Sequence, residues 1–173
     1  MSESRVLIVF HSSAGNTKKV AEALGTELNA QVEQMREVVP LPVDIHGKGM
    51  RNFYHMGRVA FGALRGKRAA IKAVQYDPTT FDLVLVGTPV YAHNVSMPVL
   101  TYFDQYCGGL PRVGYFCTGE DPENGYLLEK MAEICGKPAE ACSAFHSPKI
   151  ASGEYRDDVA RFVEAISRTA QQA

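Results

Sequence analysis

The sequence predicts an α/β fold: a mostly parallel sheet, doubly wound, with helices on both faces. Three observations lead there. Short, continuously apolar runs such as Val6 to Phe10 and the "DLVLVG" of Asp82 to Gly87 recur along the chain. Each is followed by a stretch with apolar residues three and four positions apart. The connections between runs are too long for hairpins. Runs apolar at every position suit strands covered on both faces, and their alternation with helices calls for βαβ units.

The elements follow in order. Val6 to Phe10 is the first strand, and Val20, Ala21, Leu24 and Leu28 mark an amphipathic helix behind it. Val32 to Met35 is a shorter, weaker strand. Asp82 to Gly87 is a second buried-type strand, opening into "TPVYAHNVSMP" before a helix from Pro98 to Tyr106 that carries Val99, Leu100 and Phe103. Arg112 to Cys117 reads as a third such strand, with "TGEDPENG" as the loop after it. Leu127, Leu128, Met131 and Ile134 mark the next helix, Ala139 to Phe145 a last strand, and Tyr155 to Ile166 a closing helix.

The 173 residues fit a single domain, 1–173, with a sizeable core. Leu41 to Val74 departs from the alternation. It is glycine-studded and locally basic, and reads as an expanded connection with a helix near Tyr54 to Leu64, being too short for a core of its own. Arg51, Arg58, Arg65, Lys67 and Arg68 lie there among Phe53, Tyr54 and Phe61. A solvated helix face over an aromatic packing stripe explains them, and so does a lid or docking surface for a partner or a second cofactor's phosphate.

Composition excludes several classes. With 18 basic and 19 acidic residues, nothing implies a nucleic-acid or membrane partner. No apolar run reaches the roughly 18 residues of a spanning helix. Cys107, Cys117, Cys135 and Cys142 form no C-x-x-C pair, so neither a metal knuckle nor a disulfide scaffold is expected; they read as small buried hydrophobes in a reducing compartment. His46, His55 and His146 have no partners at metal-ligand spacing, and no metal is expected. The chain runs directly into its first strand without a leader pattern, so the expected compartment is the cytoplasm.

In an open parallel sheet, ligands collect outside the carboxyl ends of the strands. Three polar loops fall there, at 11–17, 88–97 and 118–125. The first offers hydroxyls at Ser12, Ser13 and Thr17, an amide at Asn16, and a glycine, Gly15, ahead of a helix whose free N–H groups face the loop. A terminal phosphate fits it. Helix capping and a tight turn fit the same spacing equally well. The nucleoside triphosphate spacing G-x-x-x-x-G-K-[ST] and the dinucleotide spacing G-x-G-x-x-G are both missing. His11 either faces the phosphate or caps a strand carbonyl. No Gly-flanked serine elbow suggests a hydrolase, and no cysteine sits in the anion loop as a phosphatase would need.

"SSAGNTKKVAEAL" resembles the phosphate loop of the flavodoxins and related flavoproteins. "DLVLVGTPVYAHNVSMPVLTYFD" is similar to the second flavin loop of the flavodoxin-like branch that includes the WrbA-type quinone reductases. This resemblance implies a flavodoxin-like five-stranded parallel sheet of order 2-1-3-4-5 and non-covalently bound FMN. It implies that Ser12, Ser13, Ala14, Gly15, Asn16 and Thr17 wrap the phosphate, with Ser12 and Thr17 as the main hydroxyl donors. Thr88, Pro89, Val90, Tyr91, Ala92, His93 and Asn94 would run along the flavin, Tyr91 as its aromatic contact. Cys117, Thr118, Gly119 and Glu120 would close the far side, with the loop up to Gly125. Tyr126 is either a stacking group or the first residue of a helix, and the second fits better.

The expected function is that of an FMN-binding redox protein, moving electrons between a protein or nicotinamide donor and an acceptor. An NAD(P)H-dependent FMN quinone reductase of WrbA-like type is the alternative, toward which the absence of tryptophan and the enlarged 41–74 segment point. A cofactor-free interaction protein on the same fold is the third reading. Enzymatic turnover, the redox partner and the oligomeric state stay open at this level.

Overall fold

The computed structural model describes residues 4–38, 68–121 and 123–172. Five strands form the main sheet: β1 (Val6–Phe10), β2 (Gln31–Gln34), β3 (Leu83–Tyr91), β5 (Arg112–Gly119) and β6 (Ala139–His146). They are parallel and lie in the order β2-β1-β3-β5-β6. A two-residue strand, β4 (Asn94–Val95), folds back antiparallel on the end of β3. Without that hairpin strand, the order is the expected 2-1-3-4-5.

The helices are α1 (Asn16–Glu27), α2 (Met97–Tyr106), α3 (Tyr126–Cys135), α4 (Ser147–Ser152) and α5 (Tyr155–Gln172). The short α4 is absent from the sequence reading, because "SPKIAS" is too brief to show a helical period. The helix anticipated near 54–64 and the basic residues up to Lys67 lie outside the described residues. Arg68 is described, and its guanidinium is paired with Asp104.

The period-two alternation of each strand divides the core between two faces. Leu7, Val9, Val84 and Val86 pack with Val99, Leu100 and Phe103 of α2 and with Leu127, Leu128 and Met131 of α3. Ile8, Phe10, Leu83, Leu85 and Phe116 pack with Val20, Ala21 and Leu24 of α1 and with Val159, Phe162 and Ile166 of α5. Every residue of β1 is buried, as a strand between two neighbours and two helix layers must be.

Two pieces of the fold correct the sequence reading. The strand anticipated to end at Gly87 continues to Tyr91, because β4 supplies a partner for its last residues. And Cys107 and Cys135 form a disulfide, with Cα atoms 5.4 Å apart. Cys107 follows the end of α2 and Cys135 ends α3, so the packing of two helices on one sheet face brings together thiols 28 positions apart. No local spacing announces such a pair. Cys117 is buried as expected, whereas Cys142 is exposed on β6.

Candidate functional site

The carboxyl ends of β1, β3 and β5 lie side by side in the sheet, so the three polar segments meet at one edge. The first is residues 11–15 with the start of α1. Gly15 has a φ of 92° and precedes the helix. That left-handed conformation suits glycine, and a Cβ added there would meet nothing within 4 Å, so it is the backbone angle and not crowding that selects the residue. Ser12 Oγ accepts the N–H of Gly15 at 3.2 Å and that of Lys18 at 3.3 Å. Gly15 O accepts from Lys19 N. Among the described residues, no protein acceptor meets the N–H of Asn16 or Thr17. The first turn of α1 contains no acid and carries Lys18 and Lys19. Such a charge pattern opposes the helix dipole and suits an added anion.

The second segment is the β3–β4 hairpin. Thr88 is fully buried at its base, where its Oγ1 accepts from Ser96 N at 3.1 Å and lies 3.0 Å from Pro89 O. Its hydroxyl therefore closes the hairpin. Tyr91 pairs with Asn94, leaving Ala92 and His93 as a two-residue turn with φ of 46° and 60°. Positive φ at both positions matches the right-handed twist of the flanking strands. Asn94 Nδ2 donates to Ala92 O across the turn at 2.9 Å.

The third segment follows β5. Cys117, Thr118 and Gly119 are buried within the strand, and Glu120 is exposed beyond it. A Cβ at Gly119 would stand 2.3 Å from Asn124 Nδ2 and 3.1 Å from a Val90 methyl, so a larger residue there would have to displace the buried Asn124 side chain. Asn124 is itself buried, donating Nδ2 to Asp121 O while its Oδ1 has no partner among the described residues. Asp121 Oδ1 accepts the N–H of Glu123 at 2.8 Å, and His146 Nε2 lies 2.7 Å from Glu120 O.

Side chains knit the segments together. Thr17 Oγ1 and Thr118 Oγ1 share a buried hydrogen bond of 2.8 Å, joining the start of α1 to the end of β5. Ser13 Oγ and Tyr91 Oη are hydrogen-bonded, joining the first loop to the hairpin. His93 Nδ1 lies 3.0 Å from Tyr126 Oη, and Lys130 Nζ donates to Asn94 Oδ1, so one edge of α3 grips the hairpin tip at two successive residues. Tyr126 is thus both the first residue of α3 and a side chain of the site. Nothing in linear spacing connects positions 93 and 126; only the docking of α3 beside the hairpin does.

Burial sets the electrostatics. The His11 ring meets Tyr91 edge-on at 6.5 Å, with Nδ1 buried and, among the described residues, unpartnered. Desolvation pulls its pKa down to about 4, so the imidazole is neutral at neutral pH. The Tyr91 phenol is pushed up to about 12, first by burial and then by the Glu37 carboxylate, and stays protonated. Burial also pushes the Cys117 thiol up to about 12, with Cys142 adding a smaller effect in the same direction. Its Sγ lies 3.8 Å from Asn124 O. Burial thus keeps the thiol protonated at neutral pH.

The parallel sheet of this order, with helices on both faces and polar loops at its carboxyl edge, has close structural counterparts. The fold is flavodoxin-like. A flavoprotein from Lactobacillus acidophilus NCFM solved in complex with FMN matches with a TM-score of 0.66 at 21% identity, over 86% of this chain and 97% of that one. A protein from Bacteroides uniformis ATCC 8492 matches with a TM-score of 0.68 at 12% identity, over 94% of this chain and 99% of that one. A WrbA-like protein from Agrobacterium tumefaciens matches with a TM-score of 0.53 at 14% identity, over 96% and 99%. No protein-family model and no curated protein matches the sequence. Among the described residues, no helix is long and apolar enough to cross a membrane, and no cluster of three or more His, Cys, Asp or Glu is placed to hold a metal.

Proposed function

We propose that this protein binds FMN non-covalently at the edge where its three loops meet, and that it works as a flavodoxin-like redox protein. The observation that carries this reading is the mutual fastening of the loops by Thr17–Thr118, Ser13–Tyr91 and His93–Tyr126. A sheet edge whose loops are fastened to one another, beside a helix N-terminus with free N–H groups and no acid, suits a ligand with a phosphate tail. The FMN named for one structural neighbour agrees with it.

The fit is specific by residue. The backbone at Ala14 to Thr17 would hold the phosphate, with Ser12 organising the loop through its two accepted N–H bonds and keeping its own proton to donate. The hydroxyl of Ser13 would exchange its tyrosine partner for a phosphate oxygen. Thr17 acts from beneath, its hydroxyl being engaged with Thr118. The hairpin from Thr88 to Asn94 would lie along the ring, with the protonated phenol of Tyr91 beside it. Cys117, Thr118, Gly119 and Glu120 would wall the far side. When bound, FMN supplies one- and two-electron transfer; the protein's own part is to bind, orient and limit water access.

Electrons would move between a protein or nicotinamide donor and an acceptor. A flavin quinone reductase is the more specific form of this reading. It is favoured by the exposure of the hairpin tip, where His93 is exposed and Tyr126 is 41% exposed, and by the absence of any tryptophan to cover the ring. The test is an FMN titration followed by flavin fluorescence and absorbance. Stoichiometric uptake is expected, with Ser12→Ala binding at least tenfold more weakly, the loss of one charge-assisted hydrogen bond. A wild-type protein that takes up no FMN would overturn the reading and leave a cofactor-free interaction module. Unchanged affinity in Ser12→Ala would remove the phosphate from this loop.

A further inference from the structure

The Cys107–Cys135 bond joins the far ends of two helices whose near ends meet the β3–β4 hairpin. One residue, Ser96, separates β4 from α2, and its N–H donates to Thr88 Oγ1 at the hairpin base. α3 begins at Tyr126 and holds the tip through Tyr126 on His93 and Lys130 on Asn94. Hairpin, α2, disulfide and α3 therefore close a ring that is covalent except at the tip. The surroundings let the disulfide open without unfolding the chain. The end of α3 is fixed independently of its sulfur: Gly136 N donates to Ala132 O at 2.9 Å, and the buried Tyr115 donates its hydroxyl to Lys137 O at 3.0 Å. Both cysteines belong to an apolar cluster with Leu110 and Leu128, where a thiol packs as a small hydrophobe. The Cys107 side is the yielding one. Gly108 and Gly109 follow it, both exposed, and Leu110 N reaches Cys107 O only at 3.3 Å. A Cβ at Gly108 or Gly136 would meet nothing within 4 Å, so the chain beside each cysteine is bare. A slight opening of the 107–109 turn uncovers the sulfurs.

We propose that Cys107–Cys135 is a reversible redox switch: a dithiol reductant opens it, and its opening loosens the hold of α3 on the hairpin tip. The switch stands apart from the flavin reading; only its consequence for the cofactor rests on that reading. The attacking thiolate is the reductant's, because both protein sulfurs lie at helix C-terminal ends, where the dipole disfavours a thiolate. That thiolate attacks one sulfur, the protein S–S bond breaks, and a mixed disulfide forms. The departing protein sulfur takes up a proton. The reductant's second thiolate then displaces the remaining protein sulfur, which is protonated in turn, and the reductant leaves as its own disulfide. Two electrons and two protons have passed to the protein, and an oxidised dithiol reverses every step. With the ring open, α3 is tied to the sheet by its buried Leu127, Leu128 and Met131 and to the tip by hydrogen bonds alone. Undocking it then leaves its end untethered, which lowers the cost of releasing the tip.

The test uses the flavin-free protein in native buffer, with dithiothreitol as the reductant. Iodoacetamide labelling counts the thiols, and amide hydrogen exchange read by mass spectrometry follows residues 90–96 and 126–135. Reduction is expected to add two alkylated cysteines, to leave the far-ultraviolet circular dichroism unchanged, and to speed exchange in both segments by about tenfold. Oxidised dithiothreitol should restore the starting rates. Cys135→Ala should exchange like the reduced wild type whether or not reductant is present, and Cys107→Ala checks the same from the other side. A bond that opens only in denaturant, a reduced wild type that loses its helical signal, or unchanged exchange at 90–96 overturns the proposal. In FMN-loaded protein, cofactor release should quicken on reduction, and equal release rates overturn the link to the cofactor. Failure to bind FMN in either state overturns the flavin reading alone, and the exchange rates still decide the switch.

Discussion

Replacing His11 with phenylalanine should flatten the acid side of the stability profile. The imidazole sits at the end of β1, where its backbone N–H is bound to Gly87 O at 3.1 Å and its ring stands edge-on to Tyr91. Its Nδ1 is buried without a partner among the described residues, and desolvation lowers its pKa from 6.5 to about 4. The folded state therefore favours neutral imidazole, and between those two values the unfolded chain binds more protons. His11 contributes fully above its unfolded value, and that contribution is lost as pH falls toward 4. At pH 4.5 the loss is about 2.5 kcal/mol for a shift of this size, a large part of a typical domain's stability. Asp77 and Asp104 are held below the usual carboxylate range by hydrogen bonds from Thr79 and Arg68, and add acid sensitivity of their own. They do so in both proteins and cancel in the difference. Urea denaturation of wild type and His11→Phe at pH 7.5 and pH 4.5 measures it. The variant should lose about 2.5 kcal/mol less than the wild type on acidification. Equal losses would refute the assignment of that window to His11.

Two further outcomes follow from the packing. Thr17→Val removes one side of a buried hydroxyl pair and strands Thr118 Oγ1; the flavin-free protein should lose about 1–3 kcal/mol in chemical denaturation, and an unchanged midpoint would mean that the pair contributes nothing. The Cys107–Cys135 disulfide closes a loop over a sequence separation of 28. On the chain-entropy view its reduction should cost about 3.5 kcal/mol. Urea midpoints with and without dithiothreitol check this, with a Cys135→Ala variant expected to be indifferent to the reductant.

Much of the site was legible as three polar segments following three buried strands, since a parallel sheet must place those segments at one edge. The roles within them were less so. Ser12 and Thr17 look alike in a list of hydroxyls. Yet one organises the loop from an accessible position and the other is sealed against β5. Thr88 reads as a loop residue but ends up fastening a hairpin, because β4 extends the strand beyond Gly87. Tyr126 reads as a helix start, which it is, and the partner that gives it a second role lies 33 positions away.

What the sequence determined by itself was the layered architecture. Short continuous apolar runs that alternate with helical periods of valine and leucine suit strands covered on both sides by those helices. Local rules were enough for this, because period and burial are properties of a short stretch of chain. The tertiary structure alone decided the pairings: the disulfide between two helix ends, Ser13 with Tyr91, and α3's hold on the hairpin tip. Each of these depends on the order in which the strands lie in the sheet, and two residues distant in the chain become neighbours only when that order places their elements side by side.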